Sequence, residues 1–244
     1  MFLAMLLALL NFGDQGLKSG EELIAAMRAR YNASWYRTLS FVQLTTSTDK
    51  EGKKKVNTWY ERMIAPGNLR IDIAPYDSGN GFMHANDSAY SIKRGKVVSS
   101  DRVINILQLL GFDIYFFPVE KTVKELRNEE VDVSLLHEES FEGRPAYVVG
   151  ARAGDLHAQQ FWVDKERLIL LRWMQRSPRD TSKMMDIRFN KYEHVAGGGW
   201  IEREVIMLLD GKEIRLEEYT EVKTRIPMSA DVFVPANWMK TLPK

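Results

Sequence analysis

Cysteine is absent from all 244 residues of this chain. That excludes disulfides, thiolate catalysis, Cys-zinc sites and a lipid carried on an N-terminal cysteine. The redox compartment stays open, because an exported bacterial protein can manage without disulfides. Histidine is scarce: His84, His137, His157 and His194 are far apart and show none of the HxH or HxxxH spacings of a metal site. An excess of one charge is missing too. With 34 Lys and Arg against 33 Asp and Glu, the formal net charge is +1, which gives no field to draw nucleic acid. Ser99, Ser100 and Ser140 sit in no Gly-x-Ser-x-Gly elbow, which disfavours a serine hydrolase. The glycines at 197–199 are not followed by a helix, so they read as a hairpin turn rather than a phosphate cradle. Adjacent acids at Glu138-Glu139 and Glu217-Glu218 fall on opposite faces of a strand. They read as solvated faces. The expectation is a protein with no catalytic residues, no metal site, no cofactor and no nucleic-acid partner.

Long hydrophobic runs are also lacking. Met1 to Leu10 is almost wholly apolar but too short for a bilayer, which needs about 20 apolar residues. It has the length of a signal-peptide core, without a basic residue in front or a clean cleavage site before Lys18. Residues 1–17 read as a signal peptide or its remnant, with a buried N-terminal segment as the alternative. Residues 18–244 show no linker and no shift of composition, and read as one domain.

What the chain does have is alternation. Ser19 with Glu22 forms a capping box, and Leu23, Ile24, Met27 and Tyr31 follow at helical spacing to about Ser34. Strands are expected at Leu39–Thr48, Val56–Ile64, Leu69–Ile73, Gly79–Ala85 and Ser88–Arg94. Period 3.6 appears over Arg102–Leu110, Gly111 suits a helix end, the aromatic patch Phe112–Phe117 follows, and a second short helix covers Val119–Arg127. Strands return at 131–140, 145–151, 158–164, 167–175, 183–193, 200–209 and 213–224. No βαβ alternation occurs, which argues against a parallel sheet. An up-and-down antiparallel sheet of this many strands curls, and its concave side is where the apolar helices can bury their faces.

Several short motifs carry a resemblance. They are Trp59–Pro66 leading into Gly67-Asn68-Leu69-Arg70, then Asp87–Ile92, the apolar insertion Val103–Phe117, Gly143–Val149, Trp162–Leu171 and the tail Asp231–Pro235. In this order, over residues 20 to 236, the chain resembles the LolA-like family of periplasmic lipoprotein carriers. The resemblance implies a mainly β (α+β) fold: a strongly curved antiparallel sheet forming an unclosed β-barrel, lidded by an N-terminal helix and a central helical insertion. It implies an exported, periplasmic, non-enzymatic protein that takes a lipid or acylated lipoprotein, with envelope membrane proteins as further partners. One departure stands out. The carriers place an Arg just before the proline after the second strand, where it helps hold the lid shut. Here Ala65 occupies that position and Arg62 lies on another register, so the resemblance does not extend to that latch.

Burying one methylene is worth about 0.8 kcal/mol, so ~14 methylenes of an acyl chain could supply roughly 11 kcal/mol. A cavity that must also release its cargo suits adaptable methionines and aromatics. The expected lipid-binding residues are Met27, Tyr31, Trp59, Ile71, Tyr90, Leu107, Leu110, Phe112, Tyr115 and Phe116. The alternative is an envelope interaction or sensor module of the same fold with a filled core and no transported ligand.

Overall fold

The computed structural model describes residues 16–243; of the signal-peptide reading over residues 1–17, all but the last two residues lie outside them. Alternating strands broken by polar turns assemble one 13-stranded antiparallel sheet. Before the helical insertion come β1 (Thr38–Thr48), β2 (Lys54–Ile64), β3 (Asn68–Ile73), β4 (Gly81–Ala85), β5 (Ser88–Lys93) and β6 (Lys96–Asp101). After it come β7 (Asp132–Phe141), β8 (Arg144–Gly150), β9 (Gln160–Asp164), β10 (Leu170–Ser177) and β11 (Asp180–Asn190). A small ribbon of β12 (Glu193–His194) and β13 (Trp200–Ile201) precedes β14 (Glu204–Leu209) and β15 (Lys212–Thr224).

The expected meander is in fact two meanders. The strand order is β6-β5-β4-β3-β2-β1-β15-β14-β11-β10-β9-β8-β7, so the first strand pairs with the last. This topology fixes where the helices go. The chain leaves the sheet at β6 on one edge and re-enters at β7 on the other. The insertion between them, α2 (Ile106–Gly111), a 3₁₀ turn at Asp113–Tyr115 and α3 (Val119–Asn128), must cross from edge to edge. On a curved sheet the short way across is over the concave side. The edges β6 and β7 do not pair, and the barrel stays open.

Three local expectations change. Strand β6 was not anticipated: all six of its residues are exposed, so it carries no apolar alternation to read. The first lid helix starts at Ile106 rather than Arg102, because the Asn105 side chain accepts the backbone N–H groups of Leu107 and Gln108 at 3.0 and 3.2 Å. The stretches 183–193 and 200–209 each split, since Lys191 (φ 53°) and Gly197–Gly199 at positive φ turn the chain out into the β12–β13 ribbon.

Helix α1 (Gly20–Tyr31) is capped as its sequence predicts: Ser19 Oγ accepts Glu22 N–H at 3.2 Å, while the Glu22 carboxylate accepts Lys18 N–H at 2.7 Å. Its buried residues Leu23, Ile24, Met27 and Tyr31 join Leu110, Ile114, Tyr115 and Leu126 of the insertion and Phe161, Val163 and Trp173 of the sheet in the main core. Burying each such side chain contributes about 1.5–3 kcal/mol. In the meander Phe141 to Trp173, Phe161 and Val163 therefore face the helices. Trp162 faces the other way, packing with Phe141, Val148 and Leu171.

The convex face of β3 is also covered. Arg70 and Asp72, on the opposite face of the strand from Leu69 and Ile71, are fully buried. A C-terminal strap of two 3₁₀ turns, Ala230–Phe233 and Pro235–Lys240, lies over them. Its approach is close: a Cβ on Gly81 would lie 2.0 Å from the Ile71 carbonyl and 2.8 Å from Trp238.

Candidate functional site

On β1, β2, β3 and β15 the odd-numbered side chains turn to the helix side of the sheet. Leu39, Phe41 and Gln43, then Trp59, Glu61 and Met63, then Leu69 and Ile71, then Arg215, Glu217 and Tyr219 form one surface. Val205, Met207, Phe189 and Glu202 extend it, and Asn105, Leu107, Gln108 and Phe112 of the lid roof it. Between them is a cavity of about 220 Å³. It exists because the helices are unevenly spread. Helix α1 packs on α3, the 3₁₀ turn at Asp113–Tyr115 and β7, while the cavity's roof comes from the six-residue α2 and its flanks.

The cavity is apolar in area but carries three buried acids. Glu61, Glu202 and Glu217 are only 5–7% exposed. Burial pushes the Glu202 carboxyl up to about 8, helped by the charge of Glu217 and opposed by its own backbone N–H. Burial likewise lifts Glu217 to about 7, although Arg215 and Gln43 pull it down. Glu61 is raised well above the usual carboxylate range by burial and then by the charges of Glu217 and Glu202. Arg215 is the neighbouring cation, 3.6 Å from Glu217 and near the face of Trp59. Among the described residues, no three His, Cys, Asp or Glu side chains converge to hold a metal ion.

The lid is fastened along its length. Asp113 accepts the Gly67 backbone N–H at 3.0 Å and the Gln108 side-chain amide at 3.2 Å. Lys121 pairs with Asp87 at 3.1 Å and lies over the Phe117 ring. Arg37 lies over the Phe116 ring, 4.3 Å from its centroid. Trp35 stacks on Tyr115 with centroids 3.9 Å apart, and Tyr31 meets both rings edge-on.

The ten residues expected at a lipid site are therefore distributed. Trp59, Ile71, Leu107 and Phe112 line the cavity. Met27, Tyr31, Leu110 and Tyr115 are buried in the packed core beside it. Tyr31 donates to the Arg167 carbonyl at 2.5 Å and Tyr115 to the Leu168 carbonyl at 3.4 Å. Phe116 packs at the lid's outer rim. Tyr90 belongs to the separate cluster around Trp238 under the C-terminal strap. The three acids were not anticipated. Glu217 in particular was read as solvated; its neighbour Glu218 is exposed, and the alternation puts Glu217 inside. Its place two residues from Tyr219, like that of Glu61 between Trp59 and Met63, was the available signal.

No protein-family model and no curated protein sequence matches this chain. Solved structures share its fold. A candidate outer membrane lipoprotein-sorting protein domain from Vibrio parahaemolyticus superposes with a TM-score of 0.57 at 13% identity, covering 90% of this chain and 98% of that one. A LolA superfamily protein from Nitrosomonas europaea gives 0.56 at 13% identity, over 86% and 97% of the two chains. A DUF1329 family protein from Desulfovibrio piger gives 0.55 at 14% identity, over 88% and 95%. At these identities the likeness is one of fold: an open, curved antiparallel sheet of the LolA type.

Proposed function

We propose that this chain, on the premise of its LolA-type fold, is an exported, non-enzymatic binding protein of the cell envelope. It holds a lipid or an acylated lipoprotein non-covalently in the cavity beneath α2, in the manner suggested by the lipoprotein-sorting label of the Vibrio structure. The observation that carries this reading is the apolar cavity roofed by a short, separately fastened helix, with Leu107 and Phe112 above and Trp59, Met63 and Ile71 below. At about 220 Å³ the cavity is smaller than ligand pockets of ~300–1,000 Å³. A whole acyl chain therefore needs α2 to move outward, and Trp59, Ile71, Leu107 and Phe112 are the side chains it would meet first.

Mass spectrometry of the protein purified from its native host tests this. A co-purifying lipid is expected. Finding none, together with no binding of a fluorescent fatty acid, overturns the reading.

One observation favours a second reading, an interaction or sensor module. The edge strand β6, paired on one side with β5, leaves Val97 and Val98 exposed, as is Phe82 of β4. An open apolar edge invites strand addition by a partner. Capture of one stoichiometric protein partner by the wild-type chain, lost in Val98→Lys, would favour that module.

A further inference from the structure

Among the described residues, the three acids in the cavity are unevenly supplied with donors. Among the described residues Glu61 accepts no hydrogen bond and pairs with no cation, and it faces the cavity. Its oxygens are not among the fully occluded, partnerless polar atoms, so they open onto that space. Glu202 has only its own backbone N–H. Glu217 is the best supplied, with Gln43 as a donor and Arg215, a cation on the same cavity wall whose side chain is 37% exposed, at the long distance of 3.6 Å. An apolar wall would have been cheaper: a buried carboxyl without partners costs several kcal/mol if ionised. Glu61, without a donor, and Glu202, with a backbone donor alone, have lone pairs free for a ligand that enters the cavity.

We propose that the cavity recognises an amphiphile with a primary ammonium head group, seated among Glu61, Glu202 and Glu217 with its hydrocarbon chain against Trp59, Leu107 and Phe112. This rests on the binding function proposed above and names its ligand class. Three features point to an organic amine rather than to a bare cation. The acids do not converge closely enough to ligate one metal ion. An alkylammonium carries three N–H donors on a tetrahedral nitrogen, so it can bond directly to one of the acids while its charge favours the ionised form of the others nearby. The remaining wall is hydrocarbon, which suits the methylenes next to the nitrogen. The volume agrees. About 220 Å³ holds roughly seven groups of water size at ~30 Å³ each, enough for a head and the first methylenes, with the tail leaving under α2. Burial raises all three carboxyls, Glu202 to about 8 and Glu217 to about 7, and an arriving ammonium would draw them back down and release protons.

Calorimetric titration of the full chain with octylamine, octanol and octanoate tests this at constant chain length. At pH 6 octylamine should bind at least about tenfold more tightly than octanol, ~1.4 kcal/mol, with octanoate weakest. Amine binding should also release protons, detected by its dependence on buffer ionisation enthalpy. Glu61→Gln and Glu202→Gln, checked for native melting, should each bring the amine-to-alcohol ratio towards one. An amine that binds no better than the alcohol, or that binds without proton release, overturns the head-group assignment and leaves the lipid-binding function standing. If none of the three binds and a fluorescent fatty acid also fails, both fall.

Discussion

Asp113 in the lid accepts the backbone N–H of Gly67, in the turn between β2 and β3, at 3.0 Å. The two residues tie the roof of the cavity to its wall. Gly67 can offer that N–H because it sits at φ 86°, a conformation that a side chain would strain. The bond lies two residues from Ala65, whose methyl group offers no fastening of its own. The lid supplies the acceptor and the turn supplies the donor. Burial lifts the Asp113 carboxyl to about 7, against the opposing bonds from Gly67 and Gln108.

Asp113→Ala should loosen the lid. It leaves the Gly67 N–H and the buried Gln108 amide without their acceptor, a loss of about 1–3 kcal/mol. Urea denaturation measures the stability change, and hydrogen exchange should show faster opening across Ile106–Gly111 than in β8–β10. Asp113→Asn keeps a carbonyl acceptor and should retain most of the stability. If Asn were as damaging as Ala, the bond would not be what matters there.

Two leucines of α2 should respond differently to truncation. Leu110 is fully buried in the core, whereas Leu107 borders the cavity and is half-buried. Leu110→Ala should cost roughly 2–5 kcal/mol, the range for a large-to-small change in a packed site. Leu107→Ala should cost less, because part of its surface already faces empty space, and should alter ligand affinity instead. Thermal melts and a fatty-acid displacement assay separate the two. Equal destabilisation would mean that the cavity collapses around Leu107.

The C-terminal strap is secured by charge. Arg70 forks onto Asp72 at 2.7 and 2.8 Å, donates to the Trp238 carbonyl and Thr241 Oγ1, and lies 3.8 Å from the Trp238 ring centroid. Arg70→Met should destabilise by about 3 kcal/mol, the low end for breaking a buried pair, since Arg62 still reaches Asp72 at 2.9 Å. Limited proteolysis should then release residues after Ile226 early. A variant with unchanged stability and an uncut strap would show that apolar packing of Val232, Phe233 and Trp238 suffices.

Much of this fold could be read from alternation and turn chemistry. Leu69, Ile71 and the capping box at Ser19 behave as their spacing implies, and the helical insertion is where its period changes. Long-range pairing was not legible. Nothing local tells β1 that its second neighbour is β15, because register between distant strands is set by the shared hydrophobic face rather than by a turn. Strand β6 was invisible because an exposed edge strand needs no apolar pattern. At the site, aromatic and aliphatic residues drew attention by type. Four of the ten reach the cavity, while the rest serve packing that uses the same residue types. The acids were passed over because a carboxylate in a strand is usually solvated. Only their parity with Trp59, Met63 and Tyr219 marked them as inward.

Those acids give the protein a pH signature of unusual sign. Glu202 and Glu217 titrate near 8 and 7 when folded, against about 4.5 ordinarily, so the folded state holds protons that the unfolded chain has released. Their contribution to stability is fully present below about pH 4.5 and is lost as pH rises through 7 and 8. Asp113 acts in the same direction. Asp186 works at the acid end instead: despite its burial, the bonds from Arg172 and Arg188 hold its carboxyl low. The melting temperature should therefore fall between pH 5 and pH 8.5. Glu202→Gln should melt close to wild type at pH 5, where the acid is already neutral, and above it at pH 8.5, where the wild type must ionise a buried group. Melts at the two pH values decide the matter. A Gln variant offset equally at both, or a wild type whose stability rises over this range, would mean that the Glu202 carboxylate is solvated in the folded protein.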